Sequence, residues 1–137
     1  MFLSRLKLKN FRNFSDLNLK FNKNINIFIG NNAQGKTNIL ESIYFLSIVR
    51  SHRTNNDLNL IKEKSLYMKI DASVIYNENS KNFSILLNEK GKKVMINNLV
   101  QKKLSNYLSN LNVIIFCPDD LEIVKGTPSI RRRFLNI

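Results

Sequence analysis

The chain has 137 residues, 43% apolar and 23% charged, which is close to the globular average, leaves room for one domain, and argues against a disordered tail or low-complexity spacer. Its 22 Lys and Arg against 10 Asp and Glu give a net charge of +12, which favours nucleic acid, nucleotide or an acidic membrane surface as partner; a Lys- and Asn-rich composition accounts for the charge equally well. A single Cys and a single His rule out an intramolecular disulfide and leave zinc chemistry or a Cys-His catalytic pair poorly supplied.

In chain order, Phe2, Leu3, Leu6 and Leu8 alternate with Arg5, Lys7 and Lys9, and Leu17, Leu19 and Phe21 alternate with Asn18, Lys20 and Asn22. Both patterns predict half-buried strands, with a turn between them within residues 10–15. Residues 25–29 are short, β-branched and nearly all apolar, as expected of a strand covered on both faces. From Gly35 to about Val49 the apolar residues follow helical spacing, so a strand, a glycine-bounded loop and a helix come in succession. A polar connection over residues 50–59 leads to predicted strands at 66–76, 83–88 and 93–96, joined by hairpin loops at 77–80 and 89–92, hence an antiparallel sheet. A short helix is predicted over 100–111, a buried strand over 113–116, and a turn or helix start at Pro118-Asp119-Asp120. A last helix after Pro128 would carry Arg131, Arg132 and Arg133 on one turn, where at most two of them can act together. No apolar stretch nears the roughly 20 residues of a membrane span, and no signal peptide is readable, so a soluble cytoplasmic chain without a membrane partner is expected.

Gly30-Asn31-Asn32-Ala33-Gln34-Gly35-Lys36-Thr37 satisfies GxxxxGK[ST] at every fixed place, between a predicted strand and a predicted helix. In such a loop successive backbone N–H groups converge on phosphate oxygens and the helix start adds its own unpaired N–H groups. Lys36 brings a point charge to the terminal phosphates, and the Thr37 hydroxyl is placed for Mg²⁺. The pattern therefore predicts binding of a nucleoside triphosphate. Asn88-Glu89-Lys90-Gly91 lacks the Asp that pairs with a guanine edge, which favours ATP. The acids that follow the apolar run at 113–116 stand two residues too late for a Walker B strand, behind Cys117-Pro118, so no catalytic residue is assigned.

Asn10-Phe11-Arg12-Asn13-Phe14, the phosphate loop with Asn38 and Leu40-Glu41-Ser42-Ile43, and Arg50-Ser51-His52-Arg53-Thr54 together resemble the RecF family of bacterial repair proteins, relatives of SMC and ABC-type ATPases. Phe116-Cys117-Pro118-Asp119-Asp120-Leu121, Val124-Lys125-Gly126-Thr127-Pro128 and Arg131-Arg132-Arg133-Phe134-Leu135 extend the likeness to the C-terminal part. The resemblance implies an α/β P-loop NTPase fold, the first lobe of an ABC/SMC-type ATPase head, with a mixed sheet and an antiparallel β-subdomain. Residues 1–137 would form an N-terminal ATP-binding lobe that lacks the helical lobe, signature motif and Walker B half.

For the complete protein the likeness implies a weak DNA-dependent ATPase that forms an ATP-dependent homodimer and binds DNA at single-stranded gaps. It would support RecA loading, recombinational repair and SOS induction with RecO and RecR. The lobe alone would bind ATP and Mg²⁺ without efficient hydrolysis. Arg12 and Asn13 match a place where related ATPases approach the nucleotide, and an ordinary surface turn fits them equally; the Arg50 to Thr54 block fits a nucleotide or DNA contact and a solvated basic loop alike. Two other readings of the whole chain are a basic nucleic-acid-binding module with a non-functional phosphate loop and an inactive fragment of such an ATPase.

Overall fold

Alternation of apolar and polar residues builds a sheet, and the sheet makes the floor on which everything else rests. The computed structural model describes residues 1–77, 79–116, Pro128, Ser129 and Arg132. Six strands, β1 (Phe2–Phe11), β2 (Phe14–Lys20), β3 (Tyr67–Tyr76), β4 (Asn79–Asn88), β5 (Gly91–Ile96) and β6 (Leu99–Val100), lie in the order β2-β1-β3-β4-β5-β6. Every pairing among them is antiparallel. The register sets Leu6 against Leu19 and Ala72, and Leu8 against Leu17 and Ile70, which puts the apolar residues of each strand on one face and Arg5, Lys7 and Lys9 on the other.

Helix α1 (Lys36–Ile48) is roofed onto the apolar face. Phe45 and Leu46 are fully buried there, each worth about 1.5–3 kcal/mol of burial. The helix ends at Val49, which takes the left-handed conformation at φ 57° and returns its N–H to the Phe45 carbonyl at 2.8 Å. Tyr107 closes the far side: its hydroxyl donates to the Leu46 carbonyl at 2.7 Å and its ring meets Phe83 edge-on at 5.8 Å, and burial pushes its pKa well above the usual value. A second tyrosine, Tyr76, donates to the Asn110 carbonyl, pinning the same segment to β3.

The predicted sheet and helix are present, with strand ends shifted by a few residues. β4 starts four residues earlier than predicted because Tyr76 pairs directly with Asn79 across a tighter turn. The helix predicted over 100–111 does not form. Asn97 and Asn98 both take left-handed angles and turn the chain back as the short β6, after which a single 3₁₀ turn, Leu104–Asn106, is all the helix that appears. Ser105, Asn106, Ser109 and Asn110 favour turns over helix, while Tyr107 and Leu111 reach the core without one.

Two predicted buried strands are also corrected. Ile25, Ile27 and Ile29 are 77%, 76% and 91% exposed and enter no ladder; Ile114 and Phe116 are 98% and 73% exposed. A strand exists only by pairing, and no described strand pairs with either segment, so no parallel pair forms among the described residues. The turn at 118–120 lies outside the described residues. So does most of the last helix, of which Pro128, Ser129 and Arg132 are helical. No helix among the described residues is long and apolar enough to cross a membrane.

Candidate functional site

The loop between residues 30 and 35 delivers the chain to the first turn of α1, and one glycine governs the delivery. Gly35 sits at φ 96°, ψ 12° as the residue before the helix. A Cβ there would lie 2.6 Å from the Phe14 ring and 2.8 and 2.9 Å from the Asn13 amide, so both the conformation and the space demand glycine. At Gly30 a Cβ would meet no atom within 4 Å. The first helical hydrogen bond runs from the Ile39 N–H to the Gly35 carbonyl at 3.1 Å, which leaves the N–H groups of Lys36, Thr37 and Asn38 ahead of the ladder at the positive end of the helix dipole. The Lys36 ammonium curls back over the loop and donates to the carbonyls of Gly30 at 2.7 Å and Asn31 at 2.6 Å.

The loop is braced from below by a carboxylate. Glu41, one and a half turns into α1, is fully buried and receives two bonds from one guanidinium: Arg12 Nε to Oε2 at 3.0 Å and Arg12 Nη2 to Oε1 at 2.7 Å. Ser51 Oγ donates to Oε1 at 2.6 Å, and Arg53 Nη1 reaches Oε2 at 3.1 Å. Burial alone would raise the Glu41 pKa; the hydrogen bonds from Arg12 and Ser51 and the charges of Arg12 and Arg53 prevail and hold it below the ordinary carboxylate value. Arg12 occupies the first position of the two-residue turn between β1 and β2 at φ 53°, a conformation usually left to glycine. Its bidentate pairing with Glu41 offsets that strain.

From this anchor the hydrogen bonds run outward to the loop. Arg53 Nη1 also donates to Asn38 Oδ1 at 2.8 Å, Asn38 Nδ2 donates to Asn13 Oδ1 at 2.9 Å, and Asn13 Nδ2 meets the Gln34 carbonyl at 3.4 Å. The β1–β2 turn, the segment after α1 and the phosphate loop are thus one connected polar structure.

Above it opens a cavity of about 380 Å³ lined by Asn32, Ala33, Gly35, Lys36, Thr37, Asn38 and Arg53. Of the residues singled out in the sequence, Asn32, Ala33, Gly35, Lys36 and Thr37 face it; Gly30, Asn31 and Gln34 shape the loop behind them. Arg12 points away, to Glu41 and the Asn59 carbonyl, and Asn13 braces the loop without lining the cavity. Arg53 is one of five residues in a basic block; the fold selects it, while Arg50 stays exposed away from the cavity and His52 stacks edge-on against Tyr44. Glu41 and Asn38 stand out in the sequence only as part of a motif. The legible signal is an acid among the buried positions Ile39, Ser42 and Phe45 of a helix, which calls for a cationic partner.

The site offers an anion several N–H donors, one ammonium and one guanidinium, with the Thr37 hydroxyl exposed at the rim. No group of three or more metal-ligating side chains occurs among the described residues, so a divalent ion would have to arrive with oxygens of its own. Asp119 and Asp120 lie outside the described residues.

The AAA ATPase domain family matches residues 1–122. Over its whole length the chain is 47% identical to a DNA replication and repair protein RecF from Bacillus cytotoxicus, of which it covers 37%. It superposes on a solved structure of the recombination mediator protein RecF-ATPrS of the RecFOR pathway with a TM-score of 0.88 and 33% identity, across 98% of this chain and 37% of that one. An SMC ATPase structure, solved in work on ATP-driven dimerization and DNA-stimulated activation, shares the fold at a TM-score of 0.81 and 20% identity, covering 99% of this chain and 98% of that one. The chain thus spans little more than a third of the length of the RecF proteins it matches.

Proposed function

Because this chain belongs to the AAA ATPase domain family and corresponds to the N-terminal part of RecF, we propose that it is the ATP-binding lobe of a DNA replication and repair ATPase. The observation that carries the reading is the cavity at the start of α1, where the N–H groups of residues 36–38, the Lys36 ammonium and Arg53 converge. In this role residues 30–37 cradle the phosphate chain. Lys36 exchanges the carbonyls of Gly30 and Asn31 for β- and γ-phosphate oxygens, and Arg53 supplies a second positive charge from across the cavity. Thr37 adds one hydroxyl to the coordination of a Mg²⁺ ion that enters on the nucleotide; the ion's chemistry is to neutralise phosphate charge. Arg12 and Asn13 contribute by holding the loop and not by touching ATP.

In the complete protein this lobe serves DNA binding at gaps, ATP-dependent dimerisation and RecA loading with RecO and RecR. The match to RecF proteins solved with ATP and ATPrS supports the nucleotide part of this reading. The lobe holds its nucleotide without efficient turnover.

Lys36→Ala tests it. Removing a charged donor to a phosphate costs about 1.5–3 kcal/mol, so calorimetric titration with Mg²⁺-ATP should show affinity falling roughly tenfold to a hundredfold while circular dichroism and the melting temperature stay put. Undiminished affinity in a folded variant would reject the assignment.

A further inference from the structure

Lys92 is a charged residue on the apolar face of the sheet. In β5 the pleat sends it to the same side as the buried Val94, and its register partner is the buried Leu87, so Lys92 points toward α1 while Lys93 points away. A cation turned onto such a face is costly unless it finds acceptors. The Lys92 ammonium passes 5.8 Å from the centre of the Phe45 ring, donates to the Val49 carbonyl at 3.0 Å and donates to Asp57 Oδ2 at 2.6 Å. The two side chains are only 33% and 21% exposed, so the pair is largely shielded from solvent.

Part of this arrangement is helix chemistry. α1 has no basic residue in its own last turn, and Lys92 brings the positive charge that its C-terminal carbonyls favour. Capping the helix requires only the Val49 contact, and the bond to Asp57 does something more. One nitrogen holds residues 49 and 57 together, and Arg53 stands midway between them. The chain from 50 to 56 belongs to no strand or helix. Within it, Ser51 Oγ accepts from the N–H groups of Arg53 at 3.0 Å and Thr54 at 3.3 Å while donating to Glu41. Asn56 Oδ1 accepts from the Leu58 N–H at 3.1 Å and starts the 3₁₀ turn Asp57–Leu60, whose last carbonyl accepts from the Arg12 N–H at 2.8 Å. A loop closed across its ends by a single ammonium has fewer conformations open to it, and so has the guanidinium at its middle.

We propose that Lys92 is a positioning residue for the nucleotide site: through Val49 and Asp57 it closes the loop that carries Arg53 and holds Arg53 at the cavity. Lys92 and Asp57 line no part of that cavity, so they act through Arg53 and not on ATP. The proposal rests on the ATP-binding reading above and extends it to a strand remote in sequence from the phosphate loop.

The experiment is calorimetric titration of the 137-residue chain and its variants with Mg²⁺-ATP, below the melting temperature of the least stable variant. Arg53→Ala should weaken binding at least about tenfold. Lys92→Met keeps an apolar stem over Phe45 and removes the ammonium; Asp57→Asn removes the carboxylate charge with little change of shape and serves if Lys92→Met does not fold. Each should weaken binding about threefold to tenfold, and Lys92→Arg should recover most of the loss. In the Arg53→Ala background neither Lys92→Met nor Asp57→Asn should cost further affinity. A lysine that only caps α1 would lower the melting temperature of Lys92→Met and leave Mg²⁺-ATP affinity at the parent value, which would overturn the proposal. Equal losses with and without Arg53, or parent affinity in Arg53→Ala, would overturn it as well. Absence of binding by the parent chain would overturn the ATP reading itself, and this proposal with it; the other outcomes bear on the route through Arg53 alone.

Discussion

Leu6, Phe45 and Ile70 are fully enclosed, whereas Ile25, Ile27 and Ile29 stand at least three-quarters exposed, although short-range sequence pattern predicts structure for both sets. Within the enclosed set Leu6 and Ile70 alternate with charge on strands whose neighbours follow within a hairpin or return as β3, so each strand finds a partner inside the described sheet, and Phe45 covers their apolar face from α1. The exposed set sits in a nearly all-apolar run, broken only by Asn26, that needs cover on two faces. The difference teaches that alternation with charge specifies a face and its orientation, while a mostly apolar run specifies only a need for cover.

The largest break in that comparison should come from Phe45→Ala. Removing a fully buried ring from the helix that roofs the sheet should cost about 3–5 kcal/mol, read as a lower urea midpoint with an unchanged slope. A loss under about 1 kcal/mol would mean that the α1–sheet contact is not the core.

Glu41→Gln should come next. Replacing the buried carboxylate leaves two guanidiniums without their anion, and because Arg12 and Arg53 are partly solvated the loss should sit near about 3 kcal/mol, the low end for a broken buried pair. The pH dependence has a definite sign. The folded-state pKa of Glu41 lies below its ordinary value of 4.5, so its stabilisation is fully present above that pH and is lost as pH falls through the lower folded value. Denaturation at a series of pH values should therefore show the parent chain losing stability below about pH 4.5 more steeply than Glu41→Gln. Parallel curves would remove Glu41 as the anchor. Rescue of nucleotide affinity by Glu41→Asp but not by Gln would show that the charge, and not the volume, sets the loop.

The smallest effect belongs to the exposed set. Ile27→Ser in this chain should shift stability by no more than about 0.5 kcal/mol, since little apolar area is hidden there to lose. A loss above about 1 kcal/mol in the same urea experiment would show that residues 25–29 are covered after all.

Much of the site is legible in the amino-acid sequence alone. Gly30 to Thr37 match a spacing in which each fixed residue has a local reason, and Gly35 is held to that identity by its own φ and by Asn13 and Phe14 against it. Local chemistry likewise places α1 to within a residue at each end and β1 to β5 to within a few, since periodicity and turn residues act over neighbours in sequence. What the sequence could not rank were the arginines. Arg12 and Arg53 lie 41 positions apart and look alike as basic residues in polar turns; Glu41, buried between them, aims one at the helix and the other at both the helix and the cavity.

By itself, then, the sequence determined the alternating strands, the phosphate-loop helix and the chemistry of the loop, because those depend on contacts a few residues long. Tertiary structure alone decided which apolar runs would be covered, which arginine would face the cavity and which sheet face would gather the excess of positive charge. Burial and charge pairing depend on what comes alongside in space, and the partner of Lys9 that matters here is Lys69, sixty residues away on the neighbouring strand.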